Sequence, residues 1–397
     1  MRVLIMTKIF PNRLEPSSSP FNREQFAALG RLCDVEILAT IPWFPGAWAF
    51  RHWSRAGRLL GVPREDHIQG LSVRHPRFAF VPRIGNAISG PLYAASLAKF
   101  VLRYRGRVDV LFGSWAYPDG FAAVVLASLL GVPSVVKLHG SDIDVVGRLP
   151  GPRRRLQWAL PRAARVVAVS RPLAEAAIAL GAAPDRVDVV RNGVDSQRFR
   201  PRDRHEARRA LGESPDVRIV LYIGRIEREK GALDLVQAFA RTRHGLAPRA
   251  KLVMVGDGSA IGECRKAAME LGADVEWTGP LPHDEVPRWL AACDILALPS
   301  WHEGTPNVVL EAIACGRRVV ATRVGGVPDV IYSDALGVLV NPKDVPALAA
   351  AIQRSLSEDY DPASVAEAAN VPDWRTSALD LHQSLSRALA CAPRRAA

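Results

Sequence analysis

The chain has 397 residues, more than one hydrophobic core normally serves and suited to two domains. Apolar residues make up 48% and charged residues 23%, which excludes bulk disorder. The 52 basic and 40 acidic side chains leave a net charge of +12, mostly from arginine, so phosphates, nucleic acid and acidic lipid headgroups are the anions this surface would attract. Genomic base composition explains a high arginine content equally well.

Along the chain, short apolar strands alternate with amphipathic helices, the pattern of parallel α/β layers. "VLIM" (3–6) reads as a buried strand, "REQFAALGRL" as a helix and "DVEILAT" as the next strand. The apolar run at Val3–Met6 is too short for a signal peptide. Residues 41–91 break the pattern and read as an irregular insertion. Its opening, "IPWFPGAWAFRHWSRAGRLLGVPRED", interleaves three tryptophans with arginines. That mixture suits an anionic membrane interface; the alternative is tryptophans packed on the first domain. Then come "VDVLFGS", "FAAVVLASLL" with a turn at Gly131, "SVVKLHG", "RVVAVS" and "RVDVVRNG". Gly131 and Pro133 interrupt the apolar run, making it helix, turn and strand rather than a membrane span.

A polar, basic stretch over 197–216 marks the domain boundary. A second strand series follows: "RIVLYIGR", "KLVMVGDG", "VEWTG", "DILALPS" and "RVVATR". The resulting division is 1–198, 199–372 and a terminal helix in 373–397, ending in a frayed "APRRAA". The five cysteines lack a CxxC pair, as in a reduced, cytosolic protein.

Three segments of the second domain carry chemistry. In "HEGTPNVVLEAIACG" (302–316), Thr305 reads as an N-cap, Pro306 as the first helical residue and Gly316 as the C-terminal stop. Glu311 then lies inside an apolar helix, on one face with Asn307, and Glu303 lies in the preceding loop. A carboxylate so placed needs donors. Sugar or ribose hydroxyls are one set; Arg317 or Arg318 is another. The segment 305–307 offers free N–H groups to an anion.

"YIGRIEREKG" places Arg225 and Lys230 at a strand-to-helix turn suited to a diphosphate, and a charged surface turn is the plainer reading. "VMVGDGSAIG" spaces Gly256, Gly258 and Gly262 as G-x-G-x-x-x-G, which departs from the dinucleotide fingerprint and disfavours a dehydrogenase. In the first domain, "KLHGSDID" puts His139 at a strand end, and Asp142 and Asp144 in a D-x-D that no neighbouring motif supports as a metal site. Scattered arginines without a binding motif exclude nucleic acid as a partner.

Together these motifs resemble the family-four retaining glycosyltransferases with the two-Rossmann GT-B fold. "EGTPNVVLE" looks like that family's E-x7-E signature, "GRIEREKG" like its phosphate turn, "VKLHGSD" like its histidine segment, and "RNGVD" (191–195) like the sequence before its linker. The resemblance covers almost the whole chain, fading over 41–91. It implies an α/β architecture of two tandem Rossmann-like domains facing a central cleft, with the terminal helix near Trp374 crossing back to the first.

By the same resemblance, Arg225 and Lys230 bind the donor diphosphate and Glu311 the ribose. Glu303, Gly304, Thr305, Pro306 and Asn307 hold the sugar and its phosphate. Gly256, Gly258 and Leu281 frame the base, and His139 contacts the sugar. His139, Glu303, Arg225 and Lys230 are the catalytic set; Ser19, Phe21, Asp119 and Asp142 are the acceptor-side candidates. Family members often carry glycine in the first loop, whereas residues 11–29 have none.

The implied activity is metal-independent, retaining transfer of a sugar, with a hexose expected, from a nucleotide diphosphate-sugar to a glycan or lipid-linked acceptor in polysaccharide biosynthesis. No cofactor is needed beyond the donor. The implied location is cytoplasmic, at the inner face of the membrane. Another two-Rossmann sugar-nucleotide enzyme, such as an epimerase, and a non-catalytic sugar-nucleotide binder remain as alternatives.

Overall fold

A computed structural model describes residues 1–16, 18–81, 85–242 and 249–391, so the expected frayed tail lies outside the described residues. The chain divides into two compact units, one of Met1–Gly193 with the segment from Trp374, the other of Val194–Asp373.

Among the described residues the first unit is built on ten strands: β1 (Arg2–Thr7), β2 (Asp34–Ala39), β3 (Ile41–Trp43), β4 (Glu65–Ile68), β5 (Leu71–Arg74), β6 (Arg77–Ala79), β7 (Val110–Ser114), β8 (Ser134–Leu138), β9 (Arg165–Ala168) and β10 (Val187–Val189). Eight of them form one sheet in the order β10-β9-β8-β7-β1-β2-β5-β4. All its pairings are parallel except the β4–β5 hairpin. β1 is central, with Ile5 opposite Ile37 on one side and Phe112 on the other. Central parallel strands are covered on both faces, which is why they read as unbroken apolar runs.

The terminal helix Trp374–Ala390 belongs to this unit although it follows the second in sequence. Ala378, Leu381, Leu385 and Ala388 recur every three or four residues and bury a stripe in the core that contains Phe26 and Leu29 of the helix Pro20–Leu29. Gln25 ties the layers together: its amide donates to Ser377 Oγ at 2.8 Å and its oxygen accepts from the buried Lys137 ammonium at 2.5 Å.

The described residues of 41–91, which leave out 82–84, are not irregular. They contain β3, the hairpin β4–β5, β6 and a short helix, Arg55–Leu59, and β5 extends the main sheet by pairing with β2. Nor do their tryptophans all pack inward: Trp48 is 73% and Trp53 85% exposed.

The second unit holds β11 (Arg218–Ile223), β12 (Ala250–Val255), β13 (Val275–Gly279), β14 (Ile295–Leu298), β15 (Arg318–Thr322) and β16 (Gly337–Val340). They form a parallel sheet in the order β13-β12-β11-β14-β15-β16. Alternate residues of β11 face opposite cores, Ile219 and Leu221 on one side and Val220 and Tyr222 on the other. Strand order reverses between β11 and β14, the position where open α/β sheets form their ligand crevice.

The stretch 197–216 is not a plain linker. It contains the helix Arg204–Leu211, capped by Asp203 accepting from the Glu206 N–H at 2.7 Å. Its Arg208 is buried and meets Asp294 at 2.6 Å, so basic residues that look solvent-bound in the sequence anchor the helix to the second unit.

Candidate active site

Every donor-side candidate falls at the carboxyl edge of the second sheet. Gly224–Lys230 follow β11, Gly256–Gly258 follow β12, Leu281–His283 follow β13 and Ser300–Asn307 follow β14. Because β11 and β14 are neighbours, Lys230 and Glu303 meet across the switch point although they are 73 residues apart, with Nζ 2.7 Å from Oε1. The same carboxylate oxygen accepts from Ser300 Oγ at 2.7 Å. The turn that carries Lys230 is held from beneath, where the buried Tyr222 hydroxyl donates to the Arg225 carbonyl at 2.6 Å. Burial raises the Tyr222 phenol, so it stays a donor there.

Arg225 is not drawn into this pair. Its side chain is 68% exposed and lies 3.8 Å from Glu229, so it stands on the rim of the crevice.

Glu311 pairs with neither arginine. Arg317 donates to the carbonyls of Leu290, Ala291 and Arg202, and Arg318 to Glu358 and the Asp334 carbonyl. The partner of Glu311 is His283, Nε2 to Oε1 at 3.0 Å. The helix runs from Asn307 to Ala314 with Pro306, not Thr305, as its N-cap, because Pro306 keeps an extended ψ of 116°. Pro306 has no side-chain cap to offer the first turn. Gly316 adopts φ 72°, the left-handed stop expected of it.

Two glycines explain how tightly this edge is built. Gly256 has φ 134°, and a Cβ there would lie 1.9 Å from the Gly224 carbonyl oxygen. Gly325 has φ 49°, with the Glu303 carbonyl oxygen 1.7 Å from a Cβ position. Adjacent turns thus touch backbone to backbone, which only glycine permits. Leu281 packs part-buried against the core below.

In the first unit the switch point lies between β1 and β7. Lys8 follows β1, Trp115 follows β7 and His139 follows β8. The His139 ring stacks on Trp115 with centroids 5.8 Å apart, and Phe21 lies 5.3 Å from it on another side. Ser114 Oγ engages His139 Nε2 at 3.0 Å. Burial and the neighbouring Lys137 hold His139 well below the usual imidazole range, so it is neutral. Lys137 itself is pulled down to about 7 by burial. Ser19, just before Phe21, adopts φ 50° and ψ 54°, the left-handed conformation that a glycine would otherwise supply in this loop.

Asp142 and Asp119, two of the acceptor-side candidates, make inward contacts. The buried Asp142 carboxylate accepts from the N–H groups of Ala116, His139 and Gly140 at 2.7–3.2 Å, which fixes the turn carrying His139. Asp119 is fully buried, accepts from the Tyr93 hydroxyl at 2.9 Å and is pushed up to about 7 by burial. Among the described residues no group of three His, Cys, Asp or Glu side chains is placed to hold a metal ion.

Comparison with known proteins bears on what these edges belong to. The family model described as Glycosyltransferase Family 4 matches residues 29–198, and that described as Glycosyl transferases group 1 matches 217–358. A Bacillus subtilis protein named as a teichuronic acid biosynthesis glycosyltransferase, TuaC, is 31% identical over 360 residues, 89% of each chain. The chain belongs to glycosyltransferase family 4. A D-inositol 3-phosphate glycosyltransferase of Catenulispora acidiphila is 35% identical over 77% of each chain.

Among solved structures, Anabaena HepE in complex with UDP superposes with a TM-score of 0.73 at 21% identity, covering 97% of this chain and all of that one (100%). Sucrose-phosphate synthase from Thermosynechococcus elongatus gives 0.75 at 22%, over 99% and 100%. Both likenesses establish the fold, the tandem Rossmann-like architecture of GT-B enzymes.

Within this family-4 glycosyltransferase, sequence reasoning missed His283, Ser300, Lys8 and Trp115. His283 had one available signal: it lies in the short loop just past a strand end, in "GPLPHDE". Lys8 had the same signal, as the first residue after β1.

Proposed function

We propose that this glycosyltransferase moves a sugar, with a hexose expected, from a nucleotide diphosphate-sugar to a glycan or lipid-linked acceptor, with retention of configuration and without a metal ion. The observation that carries the reading is the Lys230–Glu303 pair at the switch point of the second sheet, with the Glu311–His283 pair joining the helix after β14 to the loop after β13. The description of HepE as bound to UDP supports a nucleotide diphosphate donor.

On this reading Lys230 and Arg225 hold the diphosphate, and the segment Gly304–Asn307 presents N–H groups to it. Glu303 is displaced from Lys230 toward the sugar hydroxyls, and Glu311 accepts from the ribose. The leaving β-phosphate takes the proton of the attacking acceptor hydroxyl on the face it departs from. The bond from the anomeric carbon to the phosphate oxygen breaks as that to the acceptor oxygen forms. Fixed cations stabilise the developing phosphate charge, which removes the need for a separate base.

The first unit then holds the acceptor near His139. The exposed Trp48, Phe50 and Trp53, among Arg51, Arg55 and Arg58, support attachment to an anionic membrane at its cytoplasmic face. No helix among the described residues is long and apolar enough to cross a membrane.

The test is proton NMR of the sugar product formed from UDP-glucose, UDP-N-acetylglucosamine and GDP-mannose, with and without EDTA. An axial donor giving an axial product, unaffected by EDTA, is the expected result. An inverted product, or activity abolished by EDTA, overturns the proposal.

A further inference from the structure

The amino edge of the second sheet, opposite the donor loops, carries a cavity of about 530 Å³, within the size range of small-molecule sites. It lies where two strands begin, with Arg218 opening β11 and Arg317 directly preceding β15, and most of its remaining wall comes from the segment 202–216. The six residues of β11 and five of β15, at about 3.3 Å each, put roughly 16–20 Å between this cavity and the donor edge.

Four arginines crowd this corner around one buried carboxylate. Asp294, directly before β14, accepts on Oδ1 from Arg204 at 2.6 Å and Arg218 at 3.1 Å. On Oδ2 it accepts from Arg208 and from the Ile219 N–H, both at 2.6 Å. Four donors fill its acceptor capacity. Arg317 is fully buried; it donates to the carbonyls of Leu290, Ala291 and Arg202 and has no carboxylate partner among the described residues. The other acids of the corner, Asp203, Asp216 and Asp359, are exposed, so water and salt screen them. Asp359, the one of these that pairs with a member of the cluster, lies 3.5 Å from Arg218.

The buried Arg208 and Arg317 and the part-buried Arg204 and Arg218 thus share a single covered carboxylate, an excess of positive charge. Burial holds the Arg208 guanidinium below its usual value; Asp294 opposes that shift and the charge of Arg204 adds to it. An ion-paired framework accounts for Asp294 but leaves the excess without a counter-charge, and covered charge without one is costly. Arg204 also keeps donors in reserve. It hydrogen-bonds through Nη1 alone among the described residues, its side chain is 24% exposed, and the exposed Arg202 stands near it in the cavity wall.

We propose that this cavity binds a small phosphorylated molecule, its phosphoryl oxygens received by Arg204 and Arg202 in the field of Arg208, Arg218 and Arg317. A phosphoryl dianion suits the corner better than a carboxylate, because it brings two charges and three oxygens to guanidinium groups that arrive from several directions. The site lies within the second unit alone, and its assignment is independent of the transferase reading.

Calorimetric titration with inorganic pyrophosphate tests this on the Lys230→Met protein, in which the donor edge has lost a phosphate-binding cation. That protein should still bind pyrophosphate. Adding Arg204→Gln should weaken the complex roughly tenfold or more, and adding Arg202→Glu, a change at an exposed position, should weaken it as well. Melting curves establish that each variant is folded; should Arg204→Gln not fold, Arg202→Glu decides the matter alone. A loss of affinity in either folded variant supports the site. Titration with inorganic phosphate and glucose 6-phosphate then identifies the source of the phosphoryl group: tighter binding of the sugar phosphate assigns an organic phosphate, and the reverse order assigns the free anion. Pyrophosphate binding that is absent from folded Lys230→Met protein, or that is unchanged in every folded arginine variant, overturns the proposal.

Discussion

Lys230→Met removes one ammonium and keeps the aliphatic stem, so it isolates what the charge does. In the free protein Glu303 retains Ser300 Oγ but loses its only ion-pair partner among the described residues. The two side chains are 22% and 12% exposed, between a surface pair and a fully buried one. Surface pairs contribute about 0–1 kcal/mol and breaking a buried pair costs about 3–5, which puts this loss at about 1–3 kcal/mol. A domain of roughly 150–250 residues melts about 2–4 °C lower for each kcal/mol, so a drop of several degrees is expected.

With donor bound the loss is different in kind. A diphosphate forfeits one charge-assisted hydrogen bond, about 1.5–3 kcal/mol, and affinity falls roughly 10- to 150-fold at ~1.4 kcal/mol per tenfold. Isothermal titration calorimetry of the nucleotide that binds wild type, alongside melting curves of both proteins, reads the two effects separately. A variant that melts lower yet binds nucleotide as tightly as wild type would show that Lys230 serves only Glu303, and the reasoning would fail.

Asp294→Ala leaves the buried Arg208 and the part-buried Arg204 and Arg218 without their shared carboxylate; about 3–5 kcal/mol of stability should be lost, visible in urea unfolding. Asp119 ionises near 3.9 in an unfolded chain but stays protonated to about 7 in the fold. Between those values the folded state holds the extra proton, so stability falls as pH rises through the window and levels off above it. Asp119→Asn removes this dependence. The stability of wild type relative to that variant, from melts at pH 5, 6, 7 and 8, should decline and then flatten; a pH-independent difference would contradict the assignment.

Much of the fold is legible in the chain because buried parallel strands announce themselves. "VLIM" and "RIVLYI" are apolar on both faces and sit where β1 and β11 do. The segment 41–91 resisted reading for a physical reason: its strands are three or four residues long, too short to establish a period, and exposed aromatic residues mimic a buried pattern. β5 alternates buried and exposed over only Leu71–Arg74. β16 escaped for the same reason, with four residues from Gly337 to Val340.

The boundary expected at 198/199 falls at 193/194, and the second at 373/374 rather than 372/373, because compactness follows packing and not the polar composition of 197–216. At the site, Glu303 and Lys230 each stand out locally, but their contact depends on β11 lying beside β14, which no local signal encodes. The Glu311–His283 pair is hidden in the same way, since a single histidine in a loop carries no pattern.

Nucleotide binding at the carboxyl edge of the second sheet through Glu311 is the central claim about this enzyme's donor site. The most direct measurement is calorimetric titration of wild type and Glu311→Ala with UDP, GDP, ADP and CMP, with melting curves confirming that both are folded. One nucleoside diphosphate should bind wild type, and the variant should lose most of that affinity while remaining folded. Equal binding by the two proteins, or no nucleotide binding to a folded wild type, would contradict the placement of the donor site.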